Sequence, residues 1–167
     1  MHSKIQKLVI SALMAALVCV ATVLIRIPSP MKGYINLGDG MVLASGWLLS
    51  PGYGFLAAAL GSALADVFAG YVIYAPATFL IKGAMALIAA GFVNLMKKER
   101  KRLLFQLIGG ILAEIVMMLG YFAFEWILYG FAAAVLNLPA NLVQAVAGLT
   151  VGIITAGLLE RMQFHLK

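Results

Sequence analysis

Apolar residues fill six long blocks of this chain, and short polar stretches separate the blocks. Every block except the second is near the roughly 20 residues that a helix needs to cross a bilayer. The pattern predicts an all-α integral membrane protein with six transmembrane helices, in which residues 1–167 form a single domain. The predicted helices occupy residues 5–25, 37–49, 52–70, 74–96, 103–130 and 138–159.

Proline and glycine mark the boundaries between the blocks. Pro28 and Pro30 interrupt the chain after the first block, and the Ser-Pro-Gly sequence at 50–52 forms a turn after the second. The Asn-Leu-Pro sequence at 137–139 is a signal for the start of the sixth helix. The second block is short and glycine-rich, so we do not expect it to cross the membrane alone as a regular, lipid-exposed helix.

The basic residues predict how the chain is oriented. With six spans, both termini and the charged loop at 97–102 lie on the same side of the membrane. That side carries nine Lys and Arg residues, whereas the other side carries only Arg26 and Lys32. Cytoplasmic loops are enriched in Lys and Arg, so we expect both termini to be cytoplasmic.

The composition excludes several classes of protein. Hydrophobic residues make up 64% of the chain, charged residues 11%, and the mean hydropathy is +1.05. Such a chain cannot cover a water-facing surface, so we expect no soluble catalytic domain. The net charge of +6 lies in short clusters between apolar blocks, which does not indicate nucleic-acid binding. Cys19 is the only cysteine and both histidines are terminal, so we expect neither a disulfide nor a metal site.

Five ionisable residues lie within the apolar blocks: Asp39, Asp66, Lys82, Glu114 and Glu125. A charged group at membrane depth is costly unless it faces a partner or a cavity, so each is a candidate functional residue. We predict that Lys82 and Glu114 form a structural ion pair and that the shallower Glu125 faces a ligand. For Asp39, capping of its own helix competes with ligand contact, and for Asp66 a structural role and a ligand contact are equally supported.

Polar and aromatic side chains converge on the outer half of the predicted bundle. Asn137, Asn141 and Gln144 share one face of the sixth helix. Aromatic residues are more frequent at this end than an ordinary interfacial belt requires, so several should line a pocket. The aromatic residues at this end are Tyr34, Phe68, Tyr71, Tyr74, Phe79, Tyr121, Phe124, Trp126 and Tyr129.

The sequence has no motif for energy conversion or catalysis. It contains no phosphate-binding loop, no zinc-protease motif and no nucleophile elbow, and inverted repeats of the transporter type are not evident. We therefore expect a binding subunit that is not an enzyme and holds no cofactor. Ala12 and Ala16, one turn apart on the first helix, would permit close approach of a partner helix.

Five short stretches carry a resemblance to a known family. They are Ala12 with Ala16, Tyr-Ile-Asn-Leu-Gly-Asp at 34–39, Pro-Ala-Thr-Phe-Leu-Ile-Lys-Gly at 76–83, Glu114 with Gly-Tyr-Phe at 120–122 and Glu125, and Pro-Ala-Asn-Leu at 139–142. Through them the chain resembles the S component, the substrate-binding membrane subunit, of energy-coupling factor (ECF) vitamin transporters. The branch it resembles comprises riboflavin, pyridoxine and hydroxymethylpyrimidine carriers.

The resemblance implies a location, partners and a mode of action. Such subunits lie in the bacterial cell membrane and bind a vitamin on the extracellular side, under the loop that joins the first two helices. They dock on a membrane T component and on two cytoplasmic ABC ATPases, which use the ATP. Ala12 and Ala16 match the motif that contacts the T component. The whole subunit is thought to topple in the membrane to deliver its cargo.

The resemblance and the depths of the polar residues together give the expected substrate contacts. These are Tyr34, Asn36, Asp66, Tyr74, Phe79, Tyr121, Glu125, Asn137, Asn141 and Gln144. Riboflavin-type members tend to carry a lysine at the position of Gln144, and the expected site has no arginine for an anionic cargo. We therefore favour a neutral or weakly basic heteroaromatic such as pyridoxine or hydroxymethylpyrimidine, with riboflavin as the alternative.

Two other functions are compatible with the sequence. An autonomous proton-coupled vitamin carrier could use Glu114 and Glu125 as a relay, and a membrane scaffold would not transport at all. Uptake by this chain alone, abolished by an uncoupler, would support the carrier. Absence of both a ligand and an associated ATPase would support the scaffold.

Overall fold

The computed structural model describes residues 4–29, 33–95 and 101–165, with side chains described up to residue 161. Lys32 and residues 97–100, on which the predicted orientation partly rests, lie outside this description. Within it the chain forms six helices and one two-stranded hairpin. In chain order these are α1 (Lys4–Leu24), β1 (Arg26–Pro28), β2 (Tyr34–Asn36), α2 (Gly38–Leu48), α3 (Pro51–Phe68), α4 (Ala75–Asn94), α5 (Arg102–Tyr129) and α6 (Phe131–His165).

Five of the six described helices are long and apolar enough to cross a membrane. The exception is α2, whose 11 residues extend only about 16 Å. Nearly all of α2 is buried, because it lies inside the bundle and contacts α1, α3, α4 and α6. The other helices therefore shield its backbone from lipid, as the short, glycine-rich second block predicts.

Small residues allow α2 to lie this close to its neighbours. A side chain at Gly46 would collide with the backbone of Ala86 on α4, and one at Gly40 would collide with Val151 on α6. Around these contacts the core is formed by larger apolar side chains, among them Leu43 and Met117, which are fully buried. Close helix packing of this kind replaces the hydrophobic driving force that is missing in lipid.

The sixth helix begins earlier than the sequence predicts. It starts at Phe131, directly after Gly130, whose φ of 88° ends α5, and Pro139 lies inside the helix. The expected start at 138 is therefore wrong. Proline is a strong stop signal in water, but membrane helices tolerate it because neighbouring groups can satisfy the freed backbone carbonyl. The extra turns place Asn137 within the helix.

A short hairpin, which the sequence pattern does not predict, joins α1 to α2. Strands β1 and β2 pair antiparallel, with Arg26 opposite Asn36 and Pro28 opposite Tyr34. The Ser29 N–H donates to the Gly33 carbonyl at 2.9 Å, and the Gly33 N–H donates to the Ser29 hydroxyl at 3.0 Å. The hairpin lies across one end of the bundle and contacts α1 and α6.

Candidate functional site

A polar cavity of about 450 Å³, including its open mouth, lies beneath the hairpin. Its walls come from the C-terminal ends of α3 and α5, the N-terminal parts of α4 and α6, and the hairpin itself. Adjacent helices run in opposite directions, which brings these ends together at one face of the bundle. The lining residues are Ser29, Gly33, Tyr34, Ile35, Asn36, Asp66, Tyr71, Tyr74, Thr78, Tyr121, Glu125, Ala140, Asn141 and Gln144.

Tyr34 attaches the hairpin to α3 at the cavity wall. Its hydroxyl donates to Oδ1 of Asp66 at 2.6 Å, and its ring lies 4.9 Å from the ring of Tyr71, centroid to centroid. Burial, together with the nearby charge of Asp66, raises the pKa of Tyr34 well above its usual value. The hydroxyl therefore remains a donor throughout the physiological pH range, which suits a permanent partner for a carboxylate.

Glu125 forms part of the opposite wall. Its side chain is only 3% exposed, and Oε1 is 3.5 Å from the Tyr74 hydroxyl, which donates a long hydrogen bond to it. The amide of Asn137 also hydrogen-bonds the Glu125 carboxylate. These contacts hold the carboxylate at the cavity, while Oε2 has no hydrogen-bond partner among the described residues.

Three buried polar atoms of the lining residues lack a hydrogen-bond partner within the part of the chain that the structure describes. They are the acceptors Oδ2 of Asp66 and Oε2 of Glu125, and the donor Nδ2 of Asn141. Buried polar groups are almost always hydrogen-bonded, and each exception requires an explanation. A cavity lined by these atoms can satisfy all three with a molecule that offers two donors and one acceptor.

Aromatic rings form much of the remaining wall. The ring of Tyr74 lies 6.1 Å from Tyr71 and 6.5 Å from Tyr121, centroid to centroid. The Thr78 and Tyr121 hydroxyls are 3.0 Å apart and share a hydrogen bond. Tilted rings with polar edges provide surfaces on which a planar heterocycle can pack while its substituents reach the polar atoms.

Lys82 forms an ion pair with Asp39, not with Glu114 as the sequence predicts. Its ammonium donates to Oδ1 of Asp39, and both side chains are buried. Glu114 lies close to the same pair, since it interacts electrostatically with Asp39, but neither of its oxygens accepts a described hydrogen bond. The predicted pair is therefore wrong. Because Asp39 is in the first turn of the short α2, it reaches the bundle centre and meets Lys82 there.

Most of the predicted substrate contacts do line the cavity, and two do not. Phe79 packs edge-on against Phe55 of α3, with 5.7 Å between ring centroids, because it is turned about 100° around α4 from the cavity-lining Thr78. Asn137 is buried beside Glu125 and hydrogen-bonds that carboxylate, but it is not among the residues that line the cavity. The sequence predicts Tyr71 only as one of the aromatic residues at the pocket end. It does not single out Thr78, Ser29, Gly33, Ile35 or Ala140, which have no charge or depth signal to identify them.

Ala12 and Ala16 lie on the outer face of α1. Both are exposed, whereas the buried side of the helix carries Met14 and Val18. Neither alanine lines the cavity. The two residues are therefore available to a partner helix, and their role as a docking site stays a prediction.

The six-helix architecture and the polar cavity define a membrane-embedded binding protein, and comparisons with known proteins specify its class. Residues 2–161 match the family described as ECF-type riboflavin transporter, S component. A solved structure of the S component of a bacterial ECF transporter superposes with a TM-score of 0.74 at 20% identity, covering 99% of both chains.

A Pyrococcus woesei protein, described as an uncharacterized protein in a gap 3′ region, is 40% identical over 136 residues. The aligned region covers 81% of this chain and 88% of that protein. The family match extends over nearly the whole chain, so the chain belongs to the ECF S component family of the riboflavin transporter type. It is the substrate-binding membrane subunit of an ECF transporter.

Proposed function

We propose that this subunit captures a small heteroaromatic vitamin, or a precursor of one, from outside the cell for uptake driven by ATPase partners. The observation that carries the proposal is the set of unpartnered polar atoms on Asp66, Glu125 and Asn141 at the cavity under the hairpin. An aromatic ligand with hydroxyl or amino substituents supplies the missing hydrogen bonds and packs on the tyrosine rings.

The charges at the cavity narrow the substrate class. Among the described residues, its lining contains two carboxylates, Asp66 and Glu125, and no lysine or arginine. The buried cation Lys82 is held by Asp39. A phosphorylated or carboxylated cargo would face the like charges of these two carboxylates, which opposes binding. A neutral or weakly basic ring such as pyridoxine or hydroxymethylpyrimidine agrees with this wall.

Riboflavin is a second candidate, and a specific observation favours it. The family that matches residues 2–161 is described by riboflavin transport, and the flavin is also an uncharged heteroaromatic with hydroxyl groups. Gln144, at the position where riboflavin-type members tend to carry a lysine, has both ends of its amide engaged within the protein. That arrangement leaves Gln144 less free to contact a cargo, which supports the smaller, single-ring candidates.

The partners and orientation of the subunit follow from the same proposal. The cavity faces the extracellular side, and both termini are cytoplasmic. A membrane T component docks on α1 at Ala12 and Ala16, and two cytoplasmic ABC ATPases supply the energy. The exposure of both alanines on the outer face of α1 supports this arrangement.

Isothermal titration calorimetry on the purified chain in detergent tests the proposed substrate class. The titrants are pyridoxine, hydroxymethylpyrimidine, riboflavin and pyridoxal 5′-phosphate. We expect tight binding of at least one of the first three and no binding of the phosphate ester. Tight binding of the phosphate ester, or heat from none of the vitamins, would contradict the proposed substrate class.

A further inference from the structure

A chain of hydrogen bonds connects the hairpin to a buried ion pair in the centre of the bundle. The backbone N–H and the side-chain amide of Asn36 both donate to Oε1 of Gln144, at 3.0 and 3.2 Å. Nε2 of Gln144 donates to Oδ2 of Asp39 at 2.9 Å, and Oδ1 of Asp39 accepts from Lys82. Four elements are joined in this way: β2, α6, α2 and α4.

Asp39 and Lys82 do not belong to the cavity wall. Asp39 is 0% and Lys82 3% exposed, and neither lines the cavity, whereas Asn36 and Gln144 do. A ligand in the cavity therefore does not touch the ion pair. Asp39 is linked to the hairpin through Gln144. The Lys82 ammonium also lies over the ring of the cavity-lining Tyr121, 5.3 Å from its centre, so a change at Lys82 alone would not isolate this link.

The donors and acceptors in this chain of hydrogen bonds fix the orientation of the Gln144 side-chain amide. An ionised carboxylate can only accept hydrogen bonds, so Asp39 must face the NH₂ end of Gln144. The carbonyl end then points to the hairpin, where the two N–H groups of Asn36 require an acceptor. The Lys82 ammonium compensates the charge of Asp39, without which the buried carboxylate would be unstable.

We propose that Asp39 and Lys82 are positioning residues that fasten the hairpin over the cavity through Gln144 and Asn36. They thereby set how slowly a bound ligand escapes. The second part rests on the proposed function, because it assumes that the cavity holds the cargo. The hairpin has another attachment, the Tyr34–Asp66 bond, but that bond lies at the cavity wall, where a ligand can replace it.

Two double variants distinguish the hydrogen bond between Gln144 and residue 39 from the charges of the Asp39–Lys82 ion pair. Asp39→Asn with Lys82→Met removes both charges but retains an acceptor for Nε2 of Gln144. Asp39→Leu with Lys82→Met removes the acceptor as well. Both variants remove the two members of the ion pair together, and the loss of Lys82 beside Glu114 and Tyr121 is the same in both. The comparison between the two therefore reports the loss of the positioning contact alone.

Hydrogen exchange of the backbone amide of Asn36 in the ligand-free protein is the primary test. Labelling with ¹⁵N-asparagine observes Asn36 together with the helical residues Asn94, Asn137 and Asn141, which serve as references. We call Asp39→Leu with Lys82→Met the leucine variant and Asp39→Asn with Lys82→Met the asparagine variant. We expect the backbone amide of Asn36 to exchange roughly tenfold faster in the leucine variant than in the asparagine variant, because its acceptor, the Gln144 side chain, is no longer held in place. The three references should stay within about twofold.

Equal exchange of Asn36 in both variants, or an equal rise at all four asparagines, would overturn the proposal. If the leucine variant fails to fold, hydrogen exchange in the ligand-free wild-type protein tests the proposal instead. There the Asn36 amide must be protected without any ligand, and exchange as fast as in an unstructured peptide would overturn the proposal. None of these outcomes depends on the identity of the cargo.

Stopped-flow measurements test the effect on retention, using riboflavin or pyridoxine, whichever calorimetry shows to bind. We expect the dissociation rate to be roughly tenfold higher in the leucine variant than in the asparagine variant, with association rates within about twofold. If the Asn36 backbone amide exchanges faster in the leucine variant but the dissociation rates of the two variants are equal, the proposed role of Asp39 and Lys82 in ligand retention is overturned. If neither vitamin binds the wild-type protein, the proposed function fails, and the exchange experiment still decides whether the hairpin is fastened.

Discussion

Glu125 shows at the residue scale how a buried charge becomes a binding group. Its Oε1 accepts from Tyr74, and its carboxylate also interacts with Asn137, while Oε2 has no hydrogen-bond partner among the described residues. A carboxylate held on one side and unsatisfied on the other is oriented before a ligand arrives. Ligand binding therefore gains a charged hydrogen bond without having to order the side chain.

The first prediction concerns this carboxylate. Glu125→Gln preserves the shape of the side chain and removes its charge. Because hydrogen bonds to charged groups contribute about 1.5–3 kcal/mol, affinity should fall by roughly one to two decades. Calorimetry measures the change. Phe79→Leu is the matched control, since Phe79 packs on Phe55 away from the cavity, and its affinity should remain that of the wild type. A folded Glu125→Gln protein with unchanged affinity would remove Glu125 from the site.

The second prediction follows from the pairing of Lys82 with Asp39. Lys82→Met leaves the Asp39 carboxylate buried without its cation, and removing one partner of a buried pair costs about 3–5 kcal/mol. Glu114→Gln leaves the pair intact and should change stability far less. Thermal unfolding in detergent compares the two variants. A larger loss for Glu114→Gln would show that Glu114 is the true partner of Lys82.

The sequence alone could predict which residues lie at the functional end, but not which of them touch. Helical rise gives the depth of Asp66, Lys82 and Glu125, and this places the polar groups together. It does not give the rotation of each helix or which helices are neighbours. For that reason the sequence pairs Lys82 with the wrong acid and places Phe79 in a cavity from which its helix turns it away.

At the scale of elements, the hairpin and α2 shape the cavity together. Asn36 ends β2, and its side-chain oxygen accepts from the Gly38 N–H at 2.9 Å, which starts α2. The strands have only three residues each, and Pro28 lies in one of them, so periodicity could not reveal them. The burial of α2 could be anticipated, because a short, glycine-rich apolar segment needs protein around its backbone.

The third prediction tests the junction between the hairpin and α2. A methyl group at Gly38 would overlap the Thr22 side chain of α1 and crowd Asn36. Gly38→Ala should therefore displace the hairpin, lowering both the melting temperature and ligand affinity. Gly91→Ala is the control, since no described atom lies within 4 Å of a β-carbon placed at Gly91, and in a helix alanine gains about 0.5–1 kcal/mol over glycine. Equal behaviour of the two variants would contradict the close contact at Gly38.

On the scale of the whole molecule, the cavity and the proposed docking face are separate. The cavity lies at the hairpin end of the bundle, while Ala12 and Ala16 lie near the middle of α1, on its exposed face. The helical architecture and the existence of a polar cluster could be predicted from hydropathy and charge. The lipid-facing and partner-facing parts of the surface are both apolar, so composition cannot distinguish them.

The fourth prediction uses this separation. Ala12→Leu with Ala16→Leu should block close approach of a partner helix and leave the cavity intact. We expect unchanged vitamin binding by the isolated chain and loss of uptake in cells that carry the complete transporter. The double serine variant is the control, because serine remains small enough for close packing. Loss of binding together with uptake would place the two sites in contact, or indicate misfolding.

Native mass spectrometry of the purified chain tests the central claim most directly. Wild-type protein, expressed in cells and purified without added ligand, should retain one small molecule whose exact mass is that of a neutral or weakly basic heteroaromatic vitamin or precursor. Glu125→Gln protein should retain much less of it, since the lost charged hydrogen bond lowers affinity by roughly one to two decades. A phosphorylated molecule in the wild type, or equal retention by both proteins, would contradict the account.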